Sequence, residues 1–100
     1  MDAGIGGTVA DVVGDKLAKL SRFHQVICIT HLPQIARFGA HQFKIDKQVV
    51  GKRTTTTIHK LSYEERIDEI ARMMAGERVT AKTLAHASEM MSGAQLRTEL

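Results

Sequence analysis

In 100 residues there is one cysteine, one proline, one tyrosine and no tryptophan. A lone thiol, Cys28, excludes a disulfide framework and a thiolate metal site, and its place inside an apolar run reads as a buried, reduced thiol of a cytoplasmic protein. An apolar strand interior also denies it the exposed, low-pKa setting that a catalytic cysteine needs. No apolar run approaches the roughly 18 residues of a membrane span. The first residues carry no signal-peptide pattern either, so the expected location is intracellular. Like charges are not gathered into blocks. The 14 basic residues are interspersed with 11 acidic ones, and the net charge of +3 is a weak pointer to an anionic partner. A mildly basic solvated surface is the plainer reading of charge alone. Aromatics are scarce, and five methionines carry part of the apolar work within a hydrophobic fraction of 43%. The length suits one domain with one core, and neither repeat nor linker interrupts it.

What is present alternates between helical and strand-like patterns. Gly4, Gly6 and Gly7 read as a loop, with Thr8 as the N-cap of a helix through Val9, Val12, Val13, Leu17 and Leu20. After RFH, residues 25–30 are apolar on both faces (Val26, Ile27, Ile29), the pattern of a buried parallel strand. LPQIARFG then predicts a short helix with Pro33 in its first turn and Gly39 as a left-handed stop. HQFKIDKQVV and TTTTIHKL, with Gly51 and Lys52 between them, predict a β-hairpin. Ser62 and Glu65 have capping-box spacing ahead of a helix through Ile67, Ile70, Met73 and Met74 that closes at Gly76. Thr80 caps a last helix through Leu84, Ala87, Met90 and Met91, expected to end at Gly93 with the last seven residues frayed.

Two places could carry chemistry. Thr30 and His31 stand at the carboxyl end of the predicted strand, where open α/β sheets bind ligands. An imidazole there can hydrogen-bond an anion or polarise a water, although by position alone a capping or surface histidine is the plainer reading. DAGIGG could expose backbone N–H groups at a helix start. It is no phosphate-cradling loop of the GxxxxGKS or GxxxxGKT kind, and glycines so placed are most often a tight turn. His24, His41, His59 and His86 lack metal-ligand spacing, so no metal is expected. Glu64, Glu65, Asp68 and Glu69 look like a solvated helix face, and Met73, Met74, Met90 and Met91 like core or docking surface.

In their order, DAGIGG, a helix, VICITHLPQIARFG, a hairpin and ERIDEIARMMAGE resemble the C-terminal end of the ATPase head in a DNA-repair branch of the ABC/SMC-like ATPase family. DAGIGG and ITHLPQIA, about 23 residues apart, carry most of that resemblance. It implies an α/β fold: residues 1–100 as the C-terminal lobe fragment of a P-loop ABC-type head, with one buried parallel-type strand, flanking helices, a hairpin and two C-terminal helices. It implies that Asp2, Ala3, Gly4, Ile5, Gly6 and Gly7 form the D-loop at a nucleotide and dimer interface. His31 would be the catalytic switch histidine of the H-loop, with Thr30 and Gln34 as neighbours. ATP and Mg2+ would be cofactors of the full-length parent, with none expected for the fragment alone. Partners would be the remainder of the head, a second head in a homodimer, and DNA through the full protein, with no membrane. The setting implied is cytoplasmic and nucleoid-associated, in double-strand break repair and recombination. The family's Walker A loop, signature motif and Walker B carboxylates are absent from these residues. The fragment is therefore expected to be inactive alone, with the strand at 25–30 lacking a neighbour and leaving an open edge. The rival reading is a small basic nucleic-acid-binding module using Lys44, Lys47, Lys52, Arg53 and Lys60 around Phe43. A third, compatible with the first, is a piece that complements the missing part of the head.

Overall fold

The computed structural model describes residues 3–99, with side chains described for residues 8–96. Its elements run α1 (Ala3–Leu20), α2 (Pro33–Ala36), β1 (Phe43–Val50), β2 (Arg53–Lys60), α3 (Tyr63–Ala75) and α4 (Ala81–Glu99). The strands form an antiparallel pair in the register Phe43 to Lys60 through Val50 to Arg53, so the predicted hairpin is present. Its two-residue turn has Gly51 at φ +63° and no non-glycine residue at positive φ, the signature of a type II′ turn.

Four helices make the body. α1 packs on α2 and α4, and α3 on α2 and α4. The core is small: Ile70 and Ala71 of α3 meet Ala87 and Met91 of α4, flanked by Met73, Met74, Leu84 and Met90. The methionines thus serve packing, as their spacing suggested. The Ser62 capping box is complete, with Ser62 Oγ accepting from the Glu65 N–H and the Glu65 carboxylate accepting from the Ser62 N–H. Gly76, at φ +63°, closes α3 through its N–H to the Arg72 carbonyl. Thr80 Oγ1 likewise accepts from the Thr83 N–H at the start of α4.

Several expectations are corrected. The helix begins at Ala3 rather than after a loop, so Thr8 lies inside α1 instead of capping it. Glycine tolerates helical φ and ψ at about 1 kcal/mol each, and its breaking tendency is only a weak prior. Gly39 is not left-handed, because the chain leaves α2 through Arg37 and buries Phe38. Gly93 does not end α4, since continuing the helix buries Ala94 beside Met91. Residues 25–30 pair with no strand among the described residues. Ile27 is 84% and Ile29 91% exposed, and Cys28 is exposed rather than buried. Strand-forming composition yields a ladder only where a partner supplies the other half of each hydrogen bond.

The hairpin stands away from the helices, with every residue exposed except the half-buried Lys44. The radius of gyration, 14.6 Å, accordingly exceeds the roughly 13 Å of a compact chain this long. An isolated hairpin is marginal in water, and this one is tied down at its base. The Leu61 N–H donates to the Gln42 carbonyl at 2.9 Å. Lys44 Nζ lies 3.3 Å from Glu69, and His59 Nε2 lies 3.3 Å from Glu65. Glu69, expected on a solvated face, is buried and also receives Arg72. Burial pushes its carboxyl up, but the hydrogen bonds from Arg72 and Lys44 outweigh that and hold it below the usual carboxylate range.

A carboxylate with a depressed folded pKa stabilises above its unfolded value, near 4.5, and that contribution is lost as pH falls through the folded pKa. Glu69→Gln should therefore cost about 1–2 kcal/mol at pH 7, below the 3–5 of a fully buried pair because Lys44 and Arg72 can reach water. The difference between wild type and variant should shrink as pH drops below 4.5. Urea melts at pH 7 and pH 3 measure both, and a penalty equal at the two pH values would contradict the ion-pair account.

Candidate functional site

His31 sits where the irregular segment turns into α2, and its side chain is exposed. The turn is fixed locally: the Leu32 N–H donates to Thr30 Oγ1 at 3.0 Å, a local side-chain turn that threonine supports. Leu32 then caps α2, its carbonyl accepting from Ile35 at 3.1 Å and Ala36 at 3.0 Å, while Pro33 fills a first-turn position whose N–H would lack a partner. Thr30 and Gln34 are half-buried and Pro33 is buried. The imidazole is thus presented outward from a braced turn.

The brace is the contact of α2 with α1. Gly14 is buried in α1, and a Cβ added there would run into the Phe38 ring and stand 3.0 Å from the Gln34 carbonyl oxygen. Only glycine allows α2 and Phe38 to seat so closely. Gly14→Ala should gain up to about 1 kcal/mol of helix propensity yet lose about 1–3 kcal/mol to overpacking, for a net destabilisation near 1 kcal/mol. Denaturant midpoints check this, and a variant as stable as wild type would show that α2 does not rest on α1.

The D-loop residues fall elsewhere on the same helix. Ala3, Gly4, Ile5, Gly6 and Gly7 form the first turns of α1, and Asp2 lies outside the described residues. Gly7 and Gly14 are about two turns apart, or about 10 Å along the axis. α1 therefore connects the glycine-rich segment to the shelf on which the His31 turn rests. Sequence reading missed this role for Gly14, whose only signal was a glycine amid an apolar helical stripe.

Other named groups have local partners. His59 faces Glu65, whose carboxyl is lowered first by the Ser62 backbone hydrogen bond and then by His59. The basic hairpin residues do not share a face. By strand alternation, Lys44 and Arg53 fall on one side, Lys47 and Lys60 on the other, and Lys52 in the turn. Lys44 is engaged by Glu69. The side with Lys47 and Lys60 also carries Phe43, Ile45, Val49 and Ile58, all more than half exposed. Among the described residues no group of three or more His, Cys, Asp or Glu is arranged to hold a metal ion, and no helix is long and apolar enough to cross a membrane.

No protein-family model matches the chain. Curated relatives do. The chain is 46% identical over 94 residues to DNA repair protein RecN of Vibrio cholerae, covering 94% of this chain and 17% of that protein. It is 45% identical over 91 residues to RecN of Haemophilus influenzae, covering 91% and 16%. With RecN of Bacillus subtilis the identity is 42% over 99 residues, covering 98% and 17%. The chain thus spans about one sixth of the length of these relatives. Nearly its whole length aligns with them, through the His31 turn, the hairpin and the capped helix α3, so the chain is similar to a segment of RecN that makes up about 17% of these relatives' length.

Proposed function

We propose that the chain is the part of a DNA-repair ATPase head that supplies a switch histidine, His31, and a D-loop, Asp2 to Gly7, to an ATP sandwich built with residues outside it. The relatives are DNA repair proteins by name, and the reading places this chain in double-strand break repair through the whole protein. One observation carries it. His31 is held outward on a braced turn, at the end of a segment whose strand-forming side chains Ile27 and Ile29 stand in solvent. That is the state expected of a strand whose neighbours belong to the rest of a head.

In this role the imidazole would contact the γ-phosphate or the attacking water, where phosphoryl transfer depends on positioning and on stabilising developing charge. ATP would supply the transferred phosphoryl group and Mg2+ would neutralise its charge. Their main ligands, a phosphate loop and acidic side chains, are assigned to the remainder of the protein. A second copy of the head would close the sandwich, with DNA engaged by the whole protein.

The experiment is complementation. The chain alone should show no ATP turnover, and mixing it with the remainder of the head should restore it. Turnover by the chain alone, or by the remainder without it, would refute the proposal.

A further inference from the structure

α2 is a single turn, Pro33–Ala36, and a helix that short has no stability of its own in water. Contacts outside it must therefore fix the direction in which it presents His31. Within the turn the backbone is continuous. The Leu32 N–H reaches Thr30 Oγ1, Ile35 and Ala36 donate to the Leu32 carbonyl, and the Arg37 N–H donates to the Pro33 carbonyl at 3.1 Å. His31 and Arg37 thus stand at the two ends of one hydrogen-bonded unit, and whatever anchors Arg37 orients the histidine's turn.

Arg37 is anchored on two other helices, and its side chain is only 11% exposed. Its Nη2 pairs with Asp11 of α1 at 2.8 Å, and its Nη1 donates to the Met90 carbonyl of α4 at 3.2 Å. The guanidinium also lies 4.6 Å from the centroid of the Phe38 ring, which seats against Gly14. Asp11 and Gly14 are three residues apart in α1, so the ion pair and the Phe38 seat share one face of that helix. Nε is buried with no acceptor among the described residues. An arginine enclosed with one donor unmet contributes little net stability beside an apolar side chain of similar size. What its planar fork supplies is direction, holding α2 against α1 and α4 at one angle. From the other side Arg66 of α3 donates to the Ala36 carbonyl at 3.2 Å, so α2 keeps an attachment when Arg37 is replaced.

We infer that Arg37 is the positioning residue of the His31 turn: by joining Asp11 and the Met90 carbonyl it fixes the angle of α2, and with it the place of the imidazole. The inference rests on the role proposed for His31 and adds to it a residue that acts only through that turn. Asp11 lies four positions after Gly7, about one helical turn. The same ion pair therefore joins the helix that carries the glycine-rich segment to the turn that carries the histidine. An imidazole moved off its place slows the chemical step without weakening ATP binding, whose main ligands are assigned elsewhere.

Arg37→Met keeps the bulk and removes the fork. In the reassembled head it should lower kcat at least about tenfold while KM for ATP stays within about twofold. Asp11→Asn should act in the same direction, and the double variant should be no worse than Arg37→Met alone, since both remove one interaction. Arg37→Met combined with His31→Ala separates positioning from stability. With the imidazole gone its place no longer matters and turnover should fall no further, whereas a loss of fold would lower it again. Amide exchange in the same head gives a readout free of turnover: the Leu32, Ile35, Ala36 and Arg37 amides should exchange at least about tenfold faster in Arg37→Met, with those of α3 unchanged. Full kcat in Arg37→Met where His31→Ala lowers it, a further loss in the His31→Ala background, or exchange that is unchanged or equally faster in α3 would overturn the assignment. Turnover unaffected by His31→Ala would refute the histidine's role itself, and the exchange rates alone would then confirm or overturn the hold of Arg37 on the turn.

Discussion

His31→Ala should lower ATP turnover of the reassembled head about 100-fold or more, the range for losing one positioned acid–base or charge-stabilising group. The side chain is exposed and makes no contact on which the helices depend, so stability should change by less than about 0.5 kcal/mol. That combination separates a catalytic contact from a structural one. If the imidazole acts only on the reacting phosphoryl group, kcat should fall while KM for ATP changes little, because the interaction belongs to the transition state. Gln34→Ala, on the same turn but carrying no titratable group, should have a much smaller effect. Turnover within about threefold of wild type in His31→Ala would remove the histidine from the chemistry.

The second large effect concerns the apolar segment that leads to His31. Ile27 and Ile29 are among the most exposed large apolar side chains described, at 84% and 91%. Burying each would gain about 1.5–3 kcal/mol, and the unpaired backbone beside them is a template for another strand. The isolated chain should therefore self-associate, its apparent mass rising with concentration. The double variant Ile27→Lys with Ile29→Lys should remain monomeric over the same range, since lysine on an open edge blocks pairing. It should also fail to complement the remainder of the head if, as proposed, both positions enter an apolar interior there. Sedimentation equilibrium measures the first effect and the ATPase assay the second. A wild-type chain that stays monomeric at high concentration, or a double variant that complements normally, would contradict the reading.

Local chemistry made much of the fold legible. The hairpin was written in its β-branched run and in Gly51, which the turn places at positive φ. α3 was written in its capping box and terminal glycine. What the sequence concealed depends on packing between distant elements. Glu69 looks like one of four solvated carboxylates, and only the seating of the hairpin brings Lys44 against it. Gly93 looks like a stop, yet burial of Met91 and Ala94 carries α4 past it. Gly14 looks like a weak point in α1 and is where α2 rests.

The segment at 25–30 is a different case. Its composition signals a buried strand, and within these residues it finds neither burial nor a partner. Periodicity registers what a segment is suited to; a ladder also needs a second chain segment at the right distance. His31 was legible as a residue at a tip, but its role comes from the resemblance alone and stands as a proposal.

Amide hydrogen exchange across residues 25–31 is the most direct test. In the chain alone these amides should exchange nearly as fast as in an unfolded peptide, because no described hydrogen bond ties the segment into a ladder. With the remainder of the head and ATP added, they should slow by about 100-fold or more as the strand gains neighbours. Exchange that stays equally fast in the reassembled, active head would contradict the claim that this segment is an unfinished part of a nucleotide-binding sheet.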